Sequence, residues 1–126
     1  MRMYNAVAHP IHFIEGATHV PEIRGFNGGN VVMTFPKDEI MLSVRKESKY
    51  LHSSFGFPAY EKVFVGTPDS PDIIPDHYDG IVVSAWYAQE AQRLGYDLSR
   101  LWLVCDPVFE DETKTRQIGV RGLSKY

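Results

Sequence analysis

Residues 67–79 set the strongest limit on how this chain can fold. They read Thr-Pro-Asp-Ser-Pro-Asp-Ile-Ile-Pro-Asp-His-Tyr-Asp and so contain three prolines and four aspartates. Proline fixes φ and removes a backbone donor, so this composition predicts an irregular segment without a helix or strand. Segments of this kind tend to be functional or mobile, although the loop-length statistics favour a plain surface linker. The segment divides the chain into an N-terminal half, 1–66, and a C-terminal part, 80–126.

The N-terminal half has the pattern of short β-strands. Its apolar runs are brief, rich in β-branched residues and separated by proline, glycine and asparagine, which is typical of strands joined by turns. We expect a turn at Gly25–Asn30 and a hairpin loop at residues 36–39. The predicted strands are Met3–Ala8, Ile11–Ile14, Val31–Phe35, Ile40–Val44 and Tyr60–Val65.

The C-terminal part predicts a strand, a helix and two further strands. Ser84 is a favourable N-cap for a helix over Ala85–Leu94, and Gly95 ends it. The flanking strands are Gly80–Val83 and Leu101–Cys105, the latter closed by Asp106-Pro107, and the last strand is Arg116–Leu123. A strand, helix and strand in this order permit a βαβ crossover.

Together these elements predict an α+β fold in one small domain spanning residues 1–126. We expect a mixed or antiparallel sheet of short strands in the N-terminal half, with one or two helices in the C-terminal half. The 126 residues suffice to bury a core, and the hydrophobic content of 44% excludes a disordered chain.

The charge is small overall and unevenly distributed. The net charge is −3, made of +1 over residues 1–66 (seven basic, six acidic), −8 over 67–112 (two basic, ten acidic) and +4 over 113–126 (four basic, no acidic). This balance argues against binding to long nucleic acid or to an anionic membrane. The basic tail leaves room for a local anion site.

Nothing in the sequence resembles a targeting or membrane-spanning segment. The first residues lack the apolar run of a signal peptide, and the longest apolar runs span about four or five residues, whereas a spanning helix needs about twenty. We therefore expect a cytoplasmic protein.

The usual catalytic and metal-binding patterns are weak. Only His9 and His12 are close together, and one cysteine excludes an all-cysteine zinc site, so no metal is predicted. Cys105 with His77 as a base would make a nucleophile, but a buried, unreactive cysteine is the simpler interpretation. We predict no catalytic residue and no cofactor.

Arginines and aromatic residues form the more informative set. Arg116 and Arg121 are suited to phosphate oxygens, and Trp86 and Tyr87 begin the helix directly after Ser84, where the helix N-terminus attracts anions. The two arginines are five residues apart and face opposite sides of a strand unless a bulge at Gly119 intervenes. Composition alone favours the alternative of ordinary exposed arginines and core aromatics.

Three short motifs resemble a known family. Residues 5–11, Asn-Ala-Val-Ala-His-Pro-Ile, are similar to an N-x-T-P-H-x-I opening, although the threonine-proline part is replaced. Residues 83–89, Val-Ser-Ala-Trp-Tyr-Ala-Gln, are similar to a V-S-A-x-x-A-Q motif, and residues 117–123 to a closing I-x-G-x-R-x-L strand. In this order they resemble a family of small phage and prophage proteins that includes the Thoeris anti-defence 1 proteins.

The resemblance implies a protein that sequesters a signalling nucleotide without degrading it. The ligand would be a cyclic ADP-ribose derivative or a cyclic oligonucleotide, bound in pockets between subunits of a homo-oligomer in the cytoplasm of a bacterial host. Arg116 and Arg121 would hold phosphate, Tyr87 or Trp86 would stack on a base, and Arg45 matches a basic position of the family. The ligand-binding prediction is therefore Arg116, Arg121, Arg45, Tyr87, Trp86 and Ser84.

Two other functions stay open from the sequence. One is a small hydrolase of a nucleotide signal that uses Cys105, His9 or His77. The other is a phage structural or interaction protein without a small ligand.

Overall fold

Ten β-strands and one α-helix make up the part of the chain that the computed structural model describes. The described residues are 1–51, 56–110 and 116–126, apart from the side chains of Lys46 and Phe64. The strands are β1 (Met3–Asn5), β2 (Ile11–Glu15), β3 (Thr18–Val20), β4 (Gly25–Asn27), β5 (Asn30–Phe35), β6 (Arg45–Leu51), β7 (Ala59–Val65), β8 (Gly80–Val82), β9 (Leu101–Phe109) and β10 (Gln117–Lys125), and the helix is α1 (Ala85–Arg93).

Eight of these strands form one mixed sheet. Its order is β1-β8-β9-β10-β2-β5, with the β3–β4 hairpin attached through β4 to the far end of β9. β1, β8 and β9 are mutually parallel, β10 runs antiparallel to β9, and β2 is parallel to β10 and antiparallel to β5. The remaining two strands, β6 and β7, form a separate antiparallel pair.

The mixed sheet confirms the predicted architecture in part. α1 and the parallel pairing of β8 with β9 agree with the predicted βαβ unit. Strands, however, occupy far more of the described chain than helix does, so the fold is largely β. No helix in the described ranges is long and apolar enough to cross a membrane.

The core lies on both faces of the sheet at β8. Ile81 and Val83 belong to one buried cluster, together with Tyr87, Ala88 and Ala91 of α1. Val82 belongs to the other cluster, on the opposite face of the sheet. The alternation follows from the two-residue period of a strand, and α1 covers the first cluster because its apolar residues recur at helical spacing.

One buried asparagine joins the first strand to the chain beyond β5. Asn5 has no exposed surface. Its side-chain Nδ2 lies 3.2 Å from the carbonyl oxygens of His9 and Phe35 and 3.3 Å from that of Pro36, and its Oδ1 accepts from the Val7 N–H at 3.1 Å. The Asn5 backbone also bonds Asp38 in both directions, at 2.8 and 3.0 Å. β1 and the end of β5 therefore meet, although they stand at opposite ends of the strand order.

Side chains attach segment 67–79 to the domain, with four hydrogen bonds from Arg100 and others from Tyr87 and Tyr96. Arg100 donates from Nη1 to the carbonyl oxygens of Pro75 and Tyr78 and from Nη2 to those of Pro71 and Ile74, all within 3.0–3.2 Å. The Ile74 side chain is completely buried in the core. One short 3-10 turn, Pro71–Ile73, interrupts the predicted irregularity, and Ser70 caps it. A side chain thus adds donors for the backbone carbonyls of a segment in which proline removes backbone N–H groups.

Two strand predictions were wrong. Ile40–Val44 is not a strand, and residues 36–39 are therefore not a hairpin loop. The stretch is irregular and is held against β1 and Ala6. The Ile40 N–H donates to Tyr4 Oη, and the Leu42 N–H donates to the Ala6 carbonyl. The true partner of β7 is β6, a polar strand that lacks an apolar pattern.

The predicted end of β9 was also wrong. The strand continues through Asp106-Pro107 to Phe109, with Asp106 at φ +55°. Aspartate tolerates this left-handed conformation better than most residues, so the chain bends there without leaving the sheet. The predicted turn at Gly25–Asn30 is shorter than expected, because Gly25–Asn27 forms β4 and Asn30 begins β5.

Removing the Asn5 side chain is expected to destabilise the fold strongly. Asn5→Ala leaves the Val7 N–H and three carbonyl oxygens without their side-chain partner, and we expect the free energy of unfolding to fall by about 2–4 kcal/mol. Urea denaturation followed by circular dichroism measures the change. Asn30→Ala, at an exposed asparagine, is the matched control and should change it by less than about 0.5 kcal/mol; equal effects of the two variants would contradict the assigned role.

Arg100→Lys is expected to loosen segment 67–79 while the sheet stays folded. A lysine ammonium is a point donor and does not reproduce the two-pronged contact of Arg100 with four carbonyls. Hydrogen exchange at the Ile74 and Tyr78 amides, which bond within the segment, should accelerate by about tenfold or more. Arg24→Lys is the control; unchanged exchange in Arg100→Lys would show that other contacts hold the segment.

Candidate functional site

A groove begins where the central strand β9 changes partners. On one edge β9 pairs with β10 along nearly its whole length. On the other edge it pairs with β8 at Leu101 and Trp102 and with β4 at Val108 and Phe109. Among the described residues, no strand lies beside residues 103–106 on that edge. The sheet is therefore split at this point.

The groove consists of three adjoining cavities. The central one, of about 380 Å³, shares residues 41–43 with a cavity of about 280 Å³ on one side, and shares His9 and Val104 with a cavity of about 350 Å³ on the other. The central lining is mostly apolar and is supplied by the segments that follow β1 and β8, by β9 and by the irregular stretch after β5; it comprises Val7–His9, Met41–Ser43, Val83–Ala85, Leu103 and Val104.

The helix N-terminus opens at the central cavity. Ser84 is the N-cap of α1, and its Oγ accepts from the Tyr87 N–H at 3.1 Å. Trp86 follows in the first turn and is half exposed. β1 and β8 are parallel, so their carboxyl ends meet at this edge, which is where open α/β sheets place ligands. The exposed backbone donors of the first turn favour an anion there.

The smallest cavity carries charge of both signs. Arg45, at the start of β6, lines it together with Asp69 and Glu90. Glu90 is buried and pairs with Arg93 of the same helix. The hydrogen bonds from the Arg93 guanidinium hold the pKa of the Glu90 carboxyl below its usual range. Glu90 is therefore an ionised carboxylate already satisfied by its neighbour.

The third cavity has two histidines at its rim. His9 Nδ1 lies 2.9 Å from the Pro10 carbonyl oxygen, which only accepts, so the proton sits on Nδ1. His12 Nδ1 lies 2.9 Å from Thr34 Oγ1. Within the described ranges, no group of three histidine, cysteine or acidic residues could hold a metal ion.

The two arginines of the C-terminal region lie by β9 and its neighbours. The Arg121 guanidinium sits over the ring of Phe26, 4.3 Å from its centroid, and its Nη1 is 3.9 Å from Asp106 Oδ2. Phe26 is itself 5.2 Å from the His19 ring. Arg116 is largely exposed, with Glu110 at 4.0 Å. Both ion pairs are long and exposed, so they bind the arginines only weakly.

The bulge on which the arginine prediction depended is present. The pairing of β10 with β9 shifts by one residue between Gln117 and Gly119. Gly119 is also packed closely against β2, since a Cβ there would lie 2.5 Å from the His12 carbonyl oxygen. Glycine is therefore required by close approach at this position.

The predicted ligand-binding residues fall into two groups. Ser84 and Arg45 line the groove, and Trp86 follows Ser84 in the first turn of α1; Arg116 and Arg121 lie by β9 and β4, and neither they nor Trp86 line the three cavities. Tyr87 belongs to neither group. Its side chain is completely buried, and its hydroxyl donates to the Asp69 carbonyl at 2.6 Å. Tyr87 therefore has no face on which a base could stack, because the helix turns it into the core.

Sequence reasoning missed the aromatic partner of Arg121. Phe26 stands in a glycine- and asparagine-rich stretch that looks like a turn, and 95 positions separate it from Arg121. The only local signal was the apolar and aromatic character of His19, Val20 and Phe26 on the two sides of a short hairpin. Three such residues are too few to identify a strand pair from the sequence.

Cys105 is a poor nucleophile in this setting. It is partly buried. Burial, and secondarily the neighbouring Asp106 carboxylate, raise the pKa of the thiol, while Arg121 acts in the opposite direction. A nucleophilic cysteine needs the reverse environment.

The chain was compared with protein-family models, with curated proteins and with solved structures, and none of them matches it.

The reactivity of Cys105 should respond to its two charged neighbours in opposite directions. Asp106→Asn removes the carboxylate that raises the thiol pKa, so alkylation at mildly alkaline pH should accelerate; asparagine also tolerates the positive φ. Arg121→Ala should slow alkylation, because the cation lowers that pKa. The pH profile of the alkylation rate measures both, with Asp76→Asn as control. Identical profiles in all variants would contradict the described environment.

Proposed function

We propose that this protein binds a small signalling nucleotide and sequesters it without degrading it, as an anti-defence protein of a phage in the cytoplasm of its bacterial host. The nucleotide would be a cyclic ADP-ribose derivative or a cyclic oligonucleotide. The observation that carries the proposal is the exposed Arg121 guanidinium on the Phe26 ring, with only a long ion pair to Asp106. A cation on an aromatic surface offers both a phosphate partner and a stacking partner.

The charge distribution suits a small anion. The protein is acidic overall, so it lacks the basic track that a long nucleic acid requires. Two or three convergent arginines are enough for a compact phosphate ligand in a mostly apolar pocket. Arg116, Arg121 and Arg45 are exposed and supply that number of cations.

The separation of the two residue groups supports an assembly of several copies. Ser84 and Arg45 line the groove, and Arg116 and Arg121 do not. A pocket between subunits of a homo-oligomer would combine the arginines of one copy with the groove of another, and symmetric assembly makes such a pocket in duplicate.

The chemistry of the site favours retention over conversion. Cys105 has a raised thiol pKa, and the Glu90 carboxylate is occupied by Arg93. These two groups thus lack the activation that a nucleophile or a general base needs.

The test is binding of candidate nucleotides to the intact protein. Thermal shift against cyclic nucleotides and ADP-ribose isomers identifies the ligand, because a ligand that binds only the folded state raises stability with the logarithm of its excess over Kd. Heating the complex and analysing the released nucleotide by mass spectrometry should return it intact. A converted nucleotide would support the hydrolase, and the absence of binding to the whole panel would support an interaction protein without a small ligand.

Arg116→Ala and Arg121→Ala should each weaken nucleotide binding. A charge-assisted hydrogen bond contributes about 1.5–3 kcal/mol, so calorimetry should show Kd rising by about ten- to a hundredfold. Trp86→Ala should weaken binding through lost stacking. Lys37→Ala, at an exposed cation in the loop after β5, is the control, and unchanged affinity in both arginine variants would refute the assignment.

A further inference from the structure

The strands β6 and β7 form an arm that stands apart from the main sheet. They pair with each other over seven residues each, from Arg45 opposite Val65 to Leu51 opposite Ala59. In the described chain neither strand belongs to the eight-stranded sheet, and neither packs extensively against another element. We call residues 45–51 and 59–65 the arm.

An isolated arm of this kind calls for a partner surface. A two-stranded hairpin without a covering layer is only marginally stable in water. Tyr50 and Tyr60 are 61% and 62% exposed, and Leu51 is 38% exposed. Exposed aromatic residues on an unsupported hairpin are typical of a surface that becomes covered when a complex forms.

The strand register places Tyr50 and Tyr60 on the same face of the arm as Lys62. Tyr50 lies opposite Tyr60, with ring centroids 5.9 Å apart in an edge-on contact. Ser48 lies opposite Lys62, two positions along and therefore on the same face. The described side chains of this face include no carboxylate. Residues 45–65 as a whole carry four Lys/Arg and two Glu, which gives a net charge of +2.

The segment 67–79 has the complementary character. It has four aspartates and no lysine or arginine, hence a net charge of −4. All four aspartates are exposed, and Ile73, which lies between Asp72 and Asp76 in the sequence, is 45% exposed. Arg100 holds the segment in place through four carbonyl oxygens, so this surface is formed before any partner arrives.

The arm and the acidic segment of one chain are poorly placed to meet. β7 ends at Val65, and segment 67–79 begins two residues later. Tyr60 lies five residues before that end, which is about 17 Å along an extended strand. The aromatic end of the arm therefore projects away from the junction, while the segment packs back on α1 through the Tyr87 hydroxyl.

We propose that the arm docks on segment 67–79 of a second copy of this chain, with Tyr50 and Tyr60 against Ile73 and Lys62 among the aspartates. The contact is reciprocal, so that each copy gives its arm and receives that of its partner. Apolar burial supplies the affinity, and the opposite charges set the register and the choice of partner. This inference concerns assembly alone and stands independently of the proposed nucleotide.

Charge reversal on each side tests the proposal. Lys62→Glu, on the same face as Tyr50 and Tyr60, changes the arm from +2 to 0, and Asp72→Lys with Asp76→Lys changes the segment from −4 to 0. Sedimentation velocity at micromolar concentration should show wild-type dimers and a shift to monomers in each of the two variants alone. Mixing the two variants should restore dimers, because each arm then faces a segment of more favourable charge. Lys37→Glu is the control and should leave the dimer unchanged.

A second variant removes the apolar contribution. Tyr50→Ser with Tyr60→Ser should raise the dimer dissociation constant by at least about tenfold, with far-ultraviolet circular dichroism and thermal unfolding showing that the main sheet persists. These variants alter exposed side chains only, so the core is retained.

Several results would overturn the proposal. One is a wild-type monomer, and another is an unchanged dimer in both charge variants. A third is failure of the mixture to restore dimers, which would show that the arm and segment 67–79 are not each other's partners. A fourth is nucleic acid that copurifies with the wild-type protein and is lost from the arm variants, which would assign the lysine and tyrosines to a nucleic-acid surface.

Discussion

The buried amide of Asn5 is the interaction on which the arrangement of this sheet depends. Asn5 is the last residue of the three-residue strand β1, and its side-chain Nδ2 lies within 3.3 Å of the carbonyl oxygens of His9, Phe35 and Pro36. A hydrophobic residue at this position would leave those groups unpaired in the interior, at a cost comparable to much of the stability of a small domain. The neighbouring backbone bonds to Asp38 complete the same junction. Through it the irregular stretch after β5 is fixed over β1, where it forms one wall of the groove.

Arg100 uses the same principle just before β9. Both residues are rich in donors, and both satisfy several backbone carbonyls of a segment that has no regular structure. The fold therefore tolerates long irregular stretches because individual side chains replace the missing backbone ladders. The same device makes segment 67–79 a firm surface.

The sequence predicted best where a periodic pattern and a local signal agree. α1 with its Ser84 cap, β8, β5 and β10 were expected from apolar spacing and from a capping residue. β6 was missed because its residues are polar and its pairing with β7 depends on no apolar face. Ile40–Val44 misled in the opposite way, since its apolar residues form an irregular stretch in which Leu42 is buried in the core and Met41 is half exposed.

The site was predicted less well than the fold, for a related reason. Helical spacing places Tyr87 on one face with Ala91 and Leu94, and so indicates that it turns inward, but its position beside Trp86 after the Ser84 cap suggested a stacking role as well. In the structure Tyr87 is buried in the core and Trp86 is half exposed. Arg121 was expected to be exposed and basic, yet its most distinctive contact, with Phe26, joins two parts of the sequence that no local pattern connects.

The split along β9 has a consequence for the timing of ligand binding. A cleft between two domains opens and closes, and that movement must be completed for each ligand molecule. Here the opening exists because β8 and β4 share one edge of the same strand and leave residues 103–106 between them. Its walls combine this sheet with the irregular stretch after β5, which the Asn5 junction holds in place. For the proposed nucleotide, such an opening needs no closure of domains, and preorganisation lowers the ordering cost of association.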